Sequence, residues 1–283
     1  MTQISISADL VFDALVAGED GAPLVLLLHG FPESMHCWQA QLTALADMGY
    51  RVIAPNQLGY SQGARPDPRD PSRYHIDRLS EDAMAIVAAC GYGKTRIHLA
   101  GHDWGGSIAW ALADRAAERI ASLTVLSRPH PNAFNRALDM PDGDQAHRSR
   151  HHSAFFDPET AEKLLADDAK RLRRALAAAG VPSPAIDDHL AVLGERDAME
   201  AALAWYRARG AIRTPLGPTR VPTLYIWGNA DETVGRAAAE GTADFVAAPY
   251  RFVELDGVGH FSAEQAPERV TELMLQHLQA HPV

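Results

Sequence analysis

Four short segments hold residues whose types and placement could do chemistry. LAGHDWGGS (99–107) sets Asp103 among Gly101, Gly105 and Gly106, between an apolar run and an amphipathic stretch. Small residues on both sides of a position permit a strained strand-to-helix turn that presents the middle side chain as a nucleophile. Here that side chain is a carboxylate. HGFPES (29–34) follows an earlier apolar run and offers the Phe31 amide as an oxyanion donor, alongside the amide of Trp104, the residue after the nucleophile position. WGNADETV (227–234) places Asp231 in a loop, and DGVGHFSAEQAPE (256–268) places His260 after the next apolar run. The chain order is therefore nucleophile, acid, base. A carboxylate can displace at a saturated carbon without prior deprotonation, forming an alkyl-enzyme ester. An imidazole can then activate water to hydrolyse that ester.

Each of these residues also has an ordinary structural reading. Asp103 reads as a turn residue, Asp231 as the N-cap of a helix expected near 235–246, and His260 as a packed core histidine. What unites them is position, since all four segments lie at the carboxyl ends of predicted strands, the edge where open α/β sheets place their sites. Those strands are the apolar runs LVLLLH (24–29), RVIAPN (51–56), RIHLAGHD (96–103), SLTVLS (122–127), TLYIWG (223–228) and RFVEL (251–255). Runs without alternation are buried on both faces, as in a parallel sheet. Ala-rich amphipathic stretches at 78–90 and 105–117 supply crossover helices, and ISISADLVFDALVAG at the N-terminus forms an antiparallel hairpin. Between about 130 and 218 the rhythm breaks. Nothing strand-like occurs there, and helices are predicted over 159–179 and 187–209, punctuated by Pro182, Pro184, Pro215 and Pro218. This reads as a helical insertion, because ordinary βαβ connections are seldom so long. Trp38, Trp110 and Trp227 read as packing aromatics. Alternation turns His102 away from the cleft, and His29 shapes its own loop by hydrogen bonding.

Composition narrows the classes further. The 283 residues carry 26 Lys+Arg against 36 Asp+Glu, a net charge of −10, with Lys only at 94, 163 and 170. A phosphate backbone would be repelled overall, so no nucleic-acid partner is expected. With 47% apolar residues the chain can build a sizeable core. Cys37 and Cys90 have no metal-like spacing, which favours a reduced, cytoplasmic setting with no metal or cofactor. The N-terminus has no basic-then-apolar export pattern, and the run LVLLL is far shorter than the roughly 20 residues a bilayer requires. No membrane association is expected.

HGFPES, GHDWGG, WGNAD and GVGHF together resemble the α/β-hydrolase epoxide hydrolases and their relatives, the haloalkane and fluoroacetate dehalogenases. The resemblance covers essentially the whole chain. It implies an α/β-hydrolase core over 1–130 and 217–283, with an eight-stranded, mostly parallel sheet and a helical cap at 131–216 over its carboxyl edge. It also implies that Asp103 is the nucleophile, Asp231 the charge-relay acid and His260 the water-activating base, with the Phe31 and Trp104 amides as oxyanion hole. The substrate implied is a small, mainly apolar epoxide, with water as co-substrate; homodimerisation stays open.

The leaving group depends on the cap. Epoxide hydrolases resembling this chain hydrogen-bond the departing oxygen with two cap side chains, commonly tyrosines. Tyr206 in LAWYRA (203–208) matches one, and aligning QAHRSRHHSAFFDP (145–158) puts His151 at the other, with His152, Trp205 and Phe31 as substrate-contacting neighbours. A neutral imidazole can donate one hydrogen bond. Haloalkane dehalogenases usually cradle halide with the Trp after the nucleophile plus an Asn or a second cap Trp; here Trp104 is present, position 31 is Phe, and the cap Trp is Trp205. Fluoroacetate dehalogenases carry a similar His and Tyr but clamp the substrate carboxylate with Arg beside the nucleophile and three residues on, where this chain has Trp104 and Ser107. The resemblance therefore favours an epoxide over a haloalkane or haloacid. A ligand-binding member without turnover is the other class in play. An esterase is disfavoured, because carboxylate attack on an acyl carbon gives an anhydride.

Overall fold

The computed structural model describes residues 1–208 and 216–283. In chain order, β1 (Thr2–Ser7) and β2 (Leu10–Ala17) form the expected antiparallel hairpin, followed by β3 (Leu24–Leu28), α1 (Gln39–Asp47), β4 (Arg51–Pro55), α2 (Ile76–Val87), β5 (Ile97–His102), α3 (Trp104–Arg115) and β6 (Ile120–Leu126). Helices α4 (Pro131–Leu138), α5 (Gln145–Arg148), α6 (Thr160–Ala178), α7 (Ser183–Leu193) and α8 (Arg196–Ala208) come next. The chain then returns through β7 (Thr223–Gly228), α9 (Arg236–Gly241), β8 (Tyr250–Leu255), α10 (Ser262–Gln265) and α11 (Pro267–Ala280).

The eight strands make one sheet in the order β1-β2-β4-β3-β5-β6-β7-β8, antiparallel at β1, β2 and β4 and parallel from β4 to β8. The continuous apolar run of β3 shows why. Its alternate residues point to opposite faces. Leu24, Leu26 and Leu28 join the core that includes Ile108, Ala109 and Leu112 of α3, while Val25 and Leu27 join the core that includes Leu42 and Leu45 of α1 and Leu273 and Met274 of α11. A strand buried on both faces has no room for polar alternation.

Two helical expectations are corrected. The single helix predicted over 187–209 is two helices, α7 and α8, because Gly194 closes the first, its N–H donating to Leu190 O at 2.7 Å. The stretch 159–179 is interrupted at Ala166–Ala169, where Asp167 and Asp168 take left-handed backbone angles, which short polar side chains tolerate better than most. Arg209 and Pro215, the end of the expected helix and one of its punctuating prolines, lie outside the described residues.

The turn from β5 into α3 fixes the geometry of everything after it. Asp103 has φ 47 and ψ −115, a conformation costly for any residue with a Cβ. Its N–H donates to Leu126 O on the neighbouring strand, and its carbonyl accepts Ser107 N–H at 3.0 Å, starting the helix. Helix α3 can pack this close only because Gly105 lacks a side chain: a Cβ there would lie 2.1 Å from Leu28 O. Replacing Gly105 by Ala is therefore expected to cost at least ~2 kcal/mol, since the clash is with sheet backbone. The shift in chemical-denaturation midpoint at unchanged slope measures it.

Candidate active site

Because β3, β5, β6, β7 and β8 run parallel, their carboxyl ends open on one edge, and each delivers one part of a polar constellation. β5 delivers Asp103. The loop after β7 delivers Asp231, and the loop after β8 delivers His260, whose Nδ1 lies 3.0 Å from Asp231 Oδ2 and whose Nε2 lies 3.8 Å from Asp103 Oδ2. The three residues expected to act together are thus brought together.

Asp231 is buried, yet burial, which disfavours its charged form, is outweighed by the His260 charge and hydrogen bond and by the Val234 and Thr233 amides, which hold its carboxyl below the usual range. Those amides donate to Oδ1 at 3.0 and 2.7 Å, and Ser127 Oγ donates to Oδ2 at 2.8 Å. An ionised carboxylate only accepts, so the proton between Asp231 and His260 sits on Nδ1 and leaves Nε2 as the basic nitrogen facing Asp103. Sequence reasoning missed Ser127; its left-handed φ of 55, immediately past β6, is what aims the hydroxyl.

Asp103 is held differently. Burial again opposes charge, but His260, His102, Arg128 and the Phe31 amide keep its carboxyl below the ordinary range. Phe31 N–H donates to Oδ1 at 3.1 Å from the loop after β3, so one carboxylate oxygen is anchored and the other faces His260. The Phe31–Pro32 peptide in that loop is cis. His29 supports the loop as expected, its Nε2 accepting Gln57 N–H at 3.2 Å.

Above this edge, Tyr206 of α8 sits among aromatic rings, with centroids 5.2 Å from Trp104, 5.6 Å from Phe31, 4.5 Å from Phe155 and 5.4 Å from His152. A cavity of about 680 Å³ is lined by Tyr206, His152, Trp205 and Trp104. His151, expected as Tyr206's companion, is exposed and does not line this cavity; its Nδ1 lies 2.9 Å from Arg148 O and its ring 5.7 Å from that of Phe155, and the charges of Asp103 and His260 still reach it. The turn formed by Arg150–Phe156 aims the adjacent ring, His152, into the cavity instead, a one-residue displacement that alignment on Phe and Pro could not resolve. Trp205, expected as a substrate-contacting neighbour, lines the cavity, and its indole N–H donates to Leu58 O at 3.0 Å.

Behind the nucleophile lies a second polar layer. His102 faces away from the cavity, as alternation predicts, with Nδ1 2.5 Å from Glu33 Oε2 and Nε2 2.9 Å from His260 O. His189 of α7 accepts Ser34 N–H on Nδ1 at 3.2 Å, so its Nε2 carries the proton toward Glu264, 3.2 Å away. The sequence reading assigned nothing to Glu33, His189 or Glu264.

Residues 23–267 match the family model described as the alpha/beta hydrolase fold. The chain belongs to that family. It is 33% identical to epoxide hydrolase A of Mycobacterium tuberculosis, covering 93% of this chain and 92% of that protein, and 31% identical to human epoxide hydrolase 4, covering 94% and 75%. Among solved structures, epoxide hydrolase A of Mycobacterium thermoresistibile superposes with a TM-score of 0.83 at 27% identity, over 100% of this chain and 99% of that one. Among the described residues of this family member, no helix is long and apolar enough to cross a membrane.

The buried His102–Glu33 pair has a pH signature. Burial works against the imidazolium, but the Glu33 charge and hydrogen bond raise His102 from 6.5 to about 9. A raised histidine contributes stability that is full below pH 6.5 and lost as pH climbs through about 9. Replacing His102 by Asn is therefore expected to cost on the order of 3 kcal/mol near pH 6 and progressively less toward pH 9.5. Denaturation of both proteins across that range measures the convergence.

Proposed function

We propose that the protein is an epoxide hydrolase that opens an epoxide to a vicinal diol through an ester on Asp103. The observation that carries this reading is the division of labour between the two Asp103 oxygens, one anchored by Phe31 N–H and the other facing His260, beside a cavity that Trp104, the next residue, helps to line. Oδ2 attacks an epoxide carbon, the carbon–oxygen bond breaks, and the leaving oxygen takes a hydrogen bond and then a proton from Tyr206, with His152 as the second donor. His260 Nε2 then removes a proton from water, and the resulting hydroxide attacks Cγ of the ester. The negative charge that develops on Oδ1 rests against the Phe31 amide, joined by that of Trp104 at the start of α3. Collapse breaks the Cγ–Oδ2 bond, Oδ2 leaves with the substrate and takes the proton from His260 to complete the diol, and the proton left on the water-derived oxygen of Asp103 returns to the Tyr206 phenolate.

The helical segment 131–216 acts as a cap in this reading, since it supplies Tyr206 and His152 while β3, β5, β7 and β8 supply the triad and the oxyanion loop. The relatives named as epoxide hydrolases support the choice of leaving group. So does Trp205: a halide cradle needs free indole N–H groups, and that one is committed to Leu58 O. A substrate with an apolar or aromatic body suits the aromatic wall around Tyr206. Reduced cytoplasmic location remains part of the proposal, as Cys37 and Cys90 are unpaired.

Three variants test the scheme. Asp103→Ala should abolish turnover, while His260→Gln should alkylate but fail to hydrolyse, so that intact-mass analysis with excess styrene oxide shows one added substrate mass on Asp103. A folded, unmodified His260→Gln would refute the covalent route. Tyr206→Phe keeps the ring and loses the donor, and should slow single-turnover alkylation about ten- to hundredfold, equivalent to roughly 1.5–3 kcal/mol. His152→Phe should do likewise and His151→Phe should not; equal loss in His151→Phe alone would return the second donor to that residue. Faster halide release from haloalkanes or haloacids than diol formation from any epoxide would reassign the reaction.

A further inference from the structure

The cavity wall contains a charge that the reaction above does not use. Arg128 follows Ser127 just past the end of β6, the strand beside β5, and is only 9% exposed. Its stem lies against the first turn of α3, where a Cβ on Gly106 would come 2.7 Å from Arg128 Cβ, so the glycine makes room for it. The guanidinium carbon stacks 4.4 Å from the centroid of Phe134, and both residues line the cavity with Trp104, Tyr206 and His152. Arg128 Nε is buried without a hydrogen-bond partner. Among the described residues no carboxylate pairs with this guanidinium, and residues 209–215 include no Asp or Glu.

A buried cation facing a cavity without its own anion is costly unless something negative enters. The carboxylate whose charge reaches Arg128 is the nucleophile Asp103. That arrangement cannot last through a covalent reaction, because ester formation removes the Asp103 charge and leaves the guanidinium uncompensated. We propose that Arg128 selects epoxides carrying a carboxylate, which it binds in the same cavity while Asp103 attacks the ring; the proposal rests on the epoxide reading. The substrate carboxylate then compensates Arg128 at every stage, and in doing so draws the guanidinium's field away from the nucleophile. Asp103 and Arg128 follow adjacent parallel strands, which lie about 4.8 Å apart, and that suits a substrate whose carboxylate and oxirane are close together. The class is a compact epoxy acid. The positions beside Asp103 hold Trp104 and Ser107 and no arginine; the cation arrives from the next strand.

The test compares the terminal epoxides of butenoic, pentenoic and hexenoic acid with their methyl esters, and uses pentanoate as a non-reacting probe. The wild-type protein should favour at least one acid over its ester in kcat/KM, and Arg128→Met should lower that acid-to-ester ratio roughly tenfold to hundredfold, with Arg128→Lys retaining part of it. Pentanoate should raise the Tm of the wild type and not of Arg128→Met, whose own Tm and circular dichroism report whether it folds. Esters preferred throughout, or acid and ester turnover falling equally in Arg128→Met, would overturn the proposal and leave the epoxide reading standing. An Arg128-dependent shift with pentanoate and no opening of any epoxide would retain the anion site and refute the reaction.

Discussion

The backbone at Asp103 must turn from strand to helix within a single residue, and the rest of the site is arranged around keeping it there. A left-handed angle at a residue with a side chain costs on the order of 1–3 kcal/mol and persists only when its surroundings over-determine it. Here they do. The Asp103 amide is tied to β6, its carbonyl to Ser107, and α3 is drawn onto β3 at a distance that only Gly105 permits. The carboxylate consequently stands out from the sheet edge where Phe31 N–H can hold one of its oxygens. Relaxing the turn would swing both oxygens away from His260.

The same edge concentrates charge in a volume with little water. Asp103, Asp231, Glu33, His102 and Arg128 are all buried, and each acid's ionised form is held by specific donors or cations and not by solvent. The layering matters. Asp231 has donors on both oxygens and so stays a fixed anion, while Asp103 has a donor on one and keeps the other reactive. His102, directly beside Asp103 in sequence, is tied up by Glu33, leaving His260 as the imidazole that faces Asp103. Two histidines close together in space thus acquire opposite roles from their carboxylate partners.

Much of this could be read before any coordinates. The apolar runs of β3 and β5 to β8, the glycines flanking Asp103 and the order Asp103, Asp231, His260 are local patterns whose physical cause lies within a few residues. Features set by packing between distant elements were less legible. Neither Gly194 splitting α7 from α8 nor the turn that exchanges His151 for His152 has a distinctive periodicity, since one residue of register in a short turn changes which ring faces inward. Ser127 and Arg128 sit in an unremarkable SRPHP segment, and their importance comes only from the neighbouring strand being β5. Glu33 and His189 belong to motifs or helices whose buried partners lie 69 and 155 residues away in the chain.

His189 also bears on how separable the helical segment between β6 and β7 is from the sheet beneath it. Its Nδ1 receives the Ser34 amide, three residues beyond the Phe31 amide that holds the nucleophile, and its Nε2 points at Glu264. Helix α7 is therefore not a detachable roof. Any exchange of this segment for one of a different shape, in evolution or by recombination, removes a buried acceptor from the loop that steadies Asp103 and strands Glu264 beside Glu33. Diversification of the cavity is thereby channelled away from α7 and toward α8 and the turn at Arg150–Phe156, where side chains meet the cavity without propping up the catalytic loop.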